Sequence, residues 1–119
     1  MIRLIKASCT LAVITFAPLA LACDYPERVS IPNGTVATKD EMVAGQRGVK
    51  KYMLDMEEYL ACIAEEDEQL RAGIEDPDLL VEAQRDEMLV KKHNAGVEEM
   101  EKVAADYNEA VRTYKARKD

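Results

Sequence analysis

The chain has 119 residues, a formal net charge of −7, one histidine, three cysteines and no tryptophan. An excess of acidic over basic side chains excludes nucleic acid and anionic lipid as main partners, because both reward clustered Lys and Arg. The length allows one small domain, whose core needs a staple or a partner to be stable.

Residues 1–22 read as a signal peptide. A charged stub (Arg3, Lys6) precedes an apolar run from Ala7 to Leu21, and Ala20-Leu21-Ala22 is the small-x-small pattern of a signal-peptidase site. The run is shorter than the roughly 20 residues a spanning helix needs, and Pro18 interrupts it. The expectation is an exported protein, periplasmic or secreted, with no membrane insertion after cleavage. Cleavage removes Arg3 and Lys6, so the 97-residue remainder carries −9.

Cys9 leaves with the leader, and Cys23 and Cys62 remain. An even count in an exported chain favours a disulfide. A competing reading comes from Leu19-Ala20-Leu21-Ala22-Cys23, a loose lipobox with Ala20 where leucine is preferred. Lipid attached at Cys23 would leave Cys62 unpaired.

Residues 23–37 form an extended arm, since Pro26, Pro32 and the Asn33-Gly34 pair rule out a helix. Asn33-Gly34 is read as turn chemistry before it is read as part of a glycosylation sequon. Tyr25, Val29 and Ile31 are the apolar members of the arm.

A first helix is expected over about 38–73. Thr38 followed by Glu41 is a capping box, and Ala37 and Met42 suit a hydrophobic staple. Met42, Val49, Met56, Ile63 and Leu70 recur every seven residues, with Gln46, Met53, Leu60, Asp67 and Ile74 interleaved. Tyr52 and Tyr59 share one flank of this stripe with Cys62. Gly45 and Gly48 are expected to weaken the first turns, and Gly73 to make a left-handed cap.

Asp76-Pro77 then suits the start of a second helix, over about 77–116. Its expected core lines are Ala83, Val90, Val97, Ala104 and Val111, and Asp86, His93, Met100, Tyr107 and Tyr114, with Leu89, Val103 and Ala110 widening the stripe. Asn94-Ala95-Gly96 is its expected weak point. A short connection makes the two helices antiparallel, with positions adding to about 150 meeting, as in Leu60 with Val90 and Met53 with Val97. The fold class is therefore all-α, a long two-helix hairpin within residues 38–119 and an arm tied to its first helix.

The tie is feasible by length. The helix from Thr38 to Cys62 spans roughly 36 Å at ~1.5 Å per residue, and the arm reaches up to about 50 Å. Running back along the first helix, it would place Ile31, Val29 and Tyr25 against Tyr52 and Tyr59.

Few residues suggest chemistry. His93 falls on the expected stripe near Glu57, Glu58 or Tyr59 and reads as a core or half-exposed histidine, with neither serine nor free thiol to activate. Position 90, three before His93, is valine, so the Glu-x-x-His of a di-iron bundle is absent, as is Cys-x-x-Cys-His. Methionines at heptad spacing read as core filler. No metal or cofactor is expected.

The strongest charge feature is an acidic tip: Glu65, Glu66, Asp67 and Glu68, then Glu75, Asp76 and Asp78, with Glu82, Asp86 and Glu87 following. Arg112, Lys115, Arg117 and Lys118 gather at the other end. The tip is a solvated surface or a docking surface for a basic partner, without EF-hand spacing. Asp67 and Asp86 are expected to approach one another, with Arg71 or Arg85 to neutralise them.

These features point to a non-enzymatic envelope protein, a binding or scaffold module for an unknown protein partner. A chaperone-like holdase and a thiol-redox or metal-binding protein are the alternatives. Apolar residues left over by one stripe predict a homodimer, as a four-helix bundle. Cys23, Ile31-Pro32-Asn33-Gly34, and Tyr52, Tyr59 and Cys62 in a Tyr-x(6)-Tyr-x-x-Cys helix resemble short exported proteins of proteobacteria that share this pattern. That resemblance implies export over the whole mature chain and brings no activity with it.

Overall fold

The computed structural model describes residues 23–117; the leader reading lies outside them. Two long helices, α1 (Lys39–Ala72) and α2 (Leu79–Arg117), form the expected antiparallel hairpin.

α1 starts on the predicted capping box. The Glu41 amide donates to Thr38 Oγ1 (3.2 Å) and the Thr38 amide to Glu41 Oε2 (2.6 Å). That bonding holds the Glu41 carboxyl below its ordinary pKa. α1 ends at Gly73, which caps in right-handed rather than left-handed geometry (φ −83°, ψ −2°). The Gly73 and Ile74 amides both return to the Arg71 carbonyl, so the last turn closes without a positive φ.

α2 begins two residues later than expected. The carboxylate of Asp78 accepts from the amides of Leu80 (2.8 Å) and Val81 (3.4 Å), which makes Asp78 the N-cap and leaves Asp76 and Pro77 in the connection. The longer connection shifts the pairing towards the tip. Tyr107 donates to the Met42 carbonyl at 2.8 Å, near the expected register, whereas Arg71 pairs with Glu82 and Asp86, farther along α2 than positions adding to 150 would allow.

The core follows one stripe of α1 and a different one of α2. Val49, Tyr52, Met56, Leu60 and Ile63 pack with Val103, and Ala37, Met42 and Ala110 form a second cluster at the open end. Buried positions of α2 are Gly96, Val103 and Ala110, one residue earlier than the expected line Val97, Ala104 and Val111. Moving by one residue turns a helix by about 100°. Gly96 explains the choice: Leu60 and Met56 occupy the space where its side chain would be, with the Leu60 methyl 2.9 Å from an ideal Cβ. The expected weak point is a contact that brings the helices close, and α2 runs through it unbroken. Val90, expected in the core, is 56% exposed, and Leu70 of α1 is exposed as well.

The arm runs back along α1 as expected, but it lies over the seam and touches both helices. Pro32 sits against Gly45 and Val29 against Gly48, so the two glycines expected to weaken α1 form the bed of the arm. Gly34 is buried against the Ala110 carbonyl of α2. Asn33 makes the turn, accepting from the Thr35 amide on its side chain (3.0 Å) and from the Ala37 amide on its carbonyl (2.8 Å).

Candidate functional site

Three regions carry the sequence-marked residues: a clamp at Cys23–Cys62, the acidic tip, and the face of the hairpin opposite the arm.

At the clamp, Cys23 and Cys62 are joined by a disulfide, with Cα atoms 5.7 Å apart, an ordinary separation for that bond. Helical spacing sets Cys62 one turn beyond Tyr59, and the Tyr25 ring meets the Tyr59 ring edge-on at 5.1 Å. The predicted arm packing is therefore present at Tyr59, and Val29 and Ile31 pack against the cluster that contains Tyr52. Asp24, Asp55 and Glu58 line the hollow around the disulfide, and Glu66 Oε2 lies 3.6 Å from Cys23 Sγ. An attacking thiolate must approach through this negative field, and a released thiolate would lack a stabilising cation.

Tyr52 is 3% exposed, and its hydroxyl lacks a well-aligned hydrogen-bond partner among the described residues. Burial raises its pKa above the ordinary 10.0, with Tyr25 and Glu99 adding to the shift and Arg28 opposing it. A raised acid pKa keeps stability intact below pH 10 and removes it as pH climbs past 10 towards the folded value. Tyr52 is thus expected to ionise after the exposed tyrosines in an ultraviolet titration, with stability falling as it does so. Tyr52→Phe should remove that alkaline component and leave neutral-pH stability within about 1 kcal/mol of the parent, since it deletes an unsatisfied hydroxyl and keeps the ring.

Three residues latch the arm in contacts that the sequence does not announce, although Gly34 and Arg117 stand out in it as a turn residue and as part of the basic end. Arg28 reaches from the arm to Glu99 and to Asp106 (2.8 Å) of α2. Arg117 donates to the carbonyls of Thr35 (2.8 Å) and Ala37 (2.6 Å) and stacks on Tyr114. Gly34 is the third. The available signal for Arg28 was its place as the lone cation of an acidic arm. Exposed ion pairs contribute little energy, so Arg28 sets the arm's position more than its stability.

At the tip the acidic residues are partly committed to each other's scaffolding. Asp67 (2.7 Å), Glu82 (3.2 Å) and Asp86 all pair with Arg71, which brings Asp67 and Asp86 together through the expected arginine. Asp78 caps α2, Glu65 accepts from Gln69, and Glu66 lies beside the disulfide. Glu68, Glu75 and Asp76 remain exposed. Among the described residues no cluster of three His, Cys, Asp or Glu side chains is placed to hold a metal ion.

The face opposite the arm is open. A cleft of about 300 Å³ there is lined by Leu60, Ile63, Ala64, Leu89, Val90 and His93. His93 is exposed at its edge, in the same cleft lining as Leu60 and Ala64. Leu79 and Leu80 are exposed nearer the tip, whereas Met88, also exposed, lies with Arg85 and Lys92 on the arm side, and Val81 is seven residues before it on the same line. Among the described residues no helix is long and apolar enough to cross a membrane. Comparison with protein-family models, with curated proteins and with solved structures finds no match.

Proposed function

We propose that the protein is an exported, non-enzymatic interaction module of the cell envelope, and that it docks a protein partner on the face opposite the arm. One observation carries this reading: the arm and its disulfide seal one side of the seam, and the other side keeps its apolar residues in solvent. Val90 (56% exposed) beside Leu60 and Ala64 marks that side. Scattered exposed apolar residues are ordinary, whereas a contiguous set along a seam is a docking surface.

Export is supported by the leader pattern of residues 1–22 and by the Cys23–Cys62 pair, which belongs to an oxidising compartment. Engagement of Cys23 with Cys62 also favours a free, unlipidated protein over a lipid anchor at Cys23. The acidic field around the disulfide disfavours the thiol-redox alternative.

A photo-crosslinking side chain at Val90 is expected to give discrete adducts in the native envelope, and one at Lys92, on the arm side of α2, far fewer. Equal yields at both positions, or none at Val90, would contradict the reading. A holdase is the second reading, favoured by the exposed Leu79, Leu80, Val81 and Met88 at the tip. It predicts suppression of aggregation of an unfolded outer-membrane client, and no suppression at stoichiometric ratio removes it.

A further inference from the structure

Two flanks of α2 border the core stripe, and one seven-residue line on each differs in kind, although exposed Met88 lies beside Arg85 and Lys92 on the arm side. Arg85, Lys92, Glu99 and Asp106, seven residues apart on the arm side, are all charged, and Glu99 and Asp106 hold Arg28 of the arm. Ala83, Val90, Val97, Ala104 and Val111, also seven apart, lie on the opposite flank and are all apolar. The second set has the spacing and residue types of a buried helix seam. The single chain does not bury it: Ala83 and Val90 are exposed, and Val97, Ala104 and Val111 are half-buried.

We infer that the occupant of this face is a second copy of the same chain, packed antiparallel about a twofold axis beside Val97. The inference rests on the reading that this face is the docking face, and it names the partner. The stripe is self-complementary under that operation, since Val97 meets its own copy, Val90 of one chain faces Ala104 of the other, and Ala83 faces Val111. Alanine and valine permit close approach of two helices, and Met53 and Leu60 of α1 flank the contact.

Charge selects the antiparallel arrangement. Glu68, Glu75 and Asp76 crowd the tip, and Lys39, Arg112, Lys115 and Arg117 lie at the open end. Antiparallel docking sets each acidic tip beside a basic open end, whereas parallel docking would stack tip on tip. Like charges brought together oppose association, so the polarity of the hairpin acts as an orientation signal.

The test uses the purified protein with its native disulfide intact. Sedimentation is expected to give twice the chain mass at micromolar concentration, returning to one chain mass in Val97→Glu. Val97→Cys is expected to form a symmetric intermolecular disulfide on mild oxidation. A mixture of Val90→Cys and Ala104→Cys chains should crosslink between unlike chains, because two copies of residue 90 would stand about 21 Å apart in the antiparallel pair at ~1.5 Å per residue. Should Val97→Glu disturb folding, the cysteine crosslinks on the otherwise unaltered surface still decide. A single-chain mass together with no crosslink at position 97 overturns the inference, and preferential joining of residue 90 to residue 90 overturns the antiparallel arrangement. A monomeric protein that still gives adducts to a foreign protein from Val90 would sink the self-pairing alone, whereas absence of both would sink the docking face too.

Discussion

Cys62→Ala, or reduction of Cys23–Cys62 under native conditions, is expected to lower the unfolding free energy by about 4 kcal/mol. The figure follows from the chain-entropy account of a closed loop of this length, with 39 residues separating the cysteines. Small domains have only about 5–15 kcal/mol in total, so the loss would consume a large share of the margin. The effect should exceed what the contacts near the bond suggest. Release of Cys23 frees the end of the arm, and with it the cover over Tyr52, Gly48 and Gly45. Urea unfolding followed by helical circular dichroism measures the change. An unchanged midpoint after complete reduction would mean that the arm is held by its other contacts alone.

Gly34→Ala is expected to be the most damaging single substitution in the arm. A Cβ at position 34 would lie 2.2 Å from the Ala110 carbonyl oxygen and 3.0 Å from its carbon, both backbone atoms that cannot swing aside. Relief requires the turn at 33–36 to lift off α2, which removes the seat of Arg117 on Thr35 and Ala37. Overpacking of this kind costs typically about 1–3 kcal/mol, and a backbone clash belongs at the upper end. Gly45→Ala supplies the internal comparison. Its Cβ would meet the Pro32 ring at 2.7 Å, a group that can slide with the arm, so a smaller loss is expected. Urea midpoints in the order parent, Gly45→Ala, Gly34→Ala test this, and equal stability of all three would refute the close approach. Faster hydrogen exchange at the Val36 and Ala37 amides should accompany Gly34→Ala, because both amides bond to the Asn33 carbonyl in the turn that must move.

The architecture was legible in the sequence because its signals are local. Thr38 with Glu41 announces the start of α1, proline and Asn-Gly announce the arm, and seven-residue spacing announces the long helices. Two cysteines and an arm long enough to span the distance between them then placed the clamp. What escaped depends on contacts distant in sequence. Gly45, Gly48 and Gly96 weaken an isolated helix, yet each makes room for a neighbour, and a propensity scale sees only the first effect. Asp78 displaced Asp76 as the cap because either aspartate suits that position, and tertiary geometry chose between them. The line from Val90 to Val111 has the spacing and residue types of core. In the single chain Gly96 pulls α1 onto the neighbouring line, leaving the apolar one at the surface.

The candidate site was less legible for the same reason. Its acidic tip stands out in composition, but Asp67, Glu82 and Asp86 are spent on Arg71. The open face becomes visible only when it is known which flank of α2 the arm covers, and that follows from Arg28 reaching Glu99 and Asp106.

Everything here turns on an arm locked over one side of the hairpin, and thiol accounting on the exported protein tests that most directly. Under denaturing, non-reducing conditions the mature chain should show no free thiol and should yield, on digestion, a peptide that joins Cys23 to Cys62. Two reactive cysteines, or a lipid on Cys23 with Cys62 free, would contradict it.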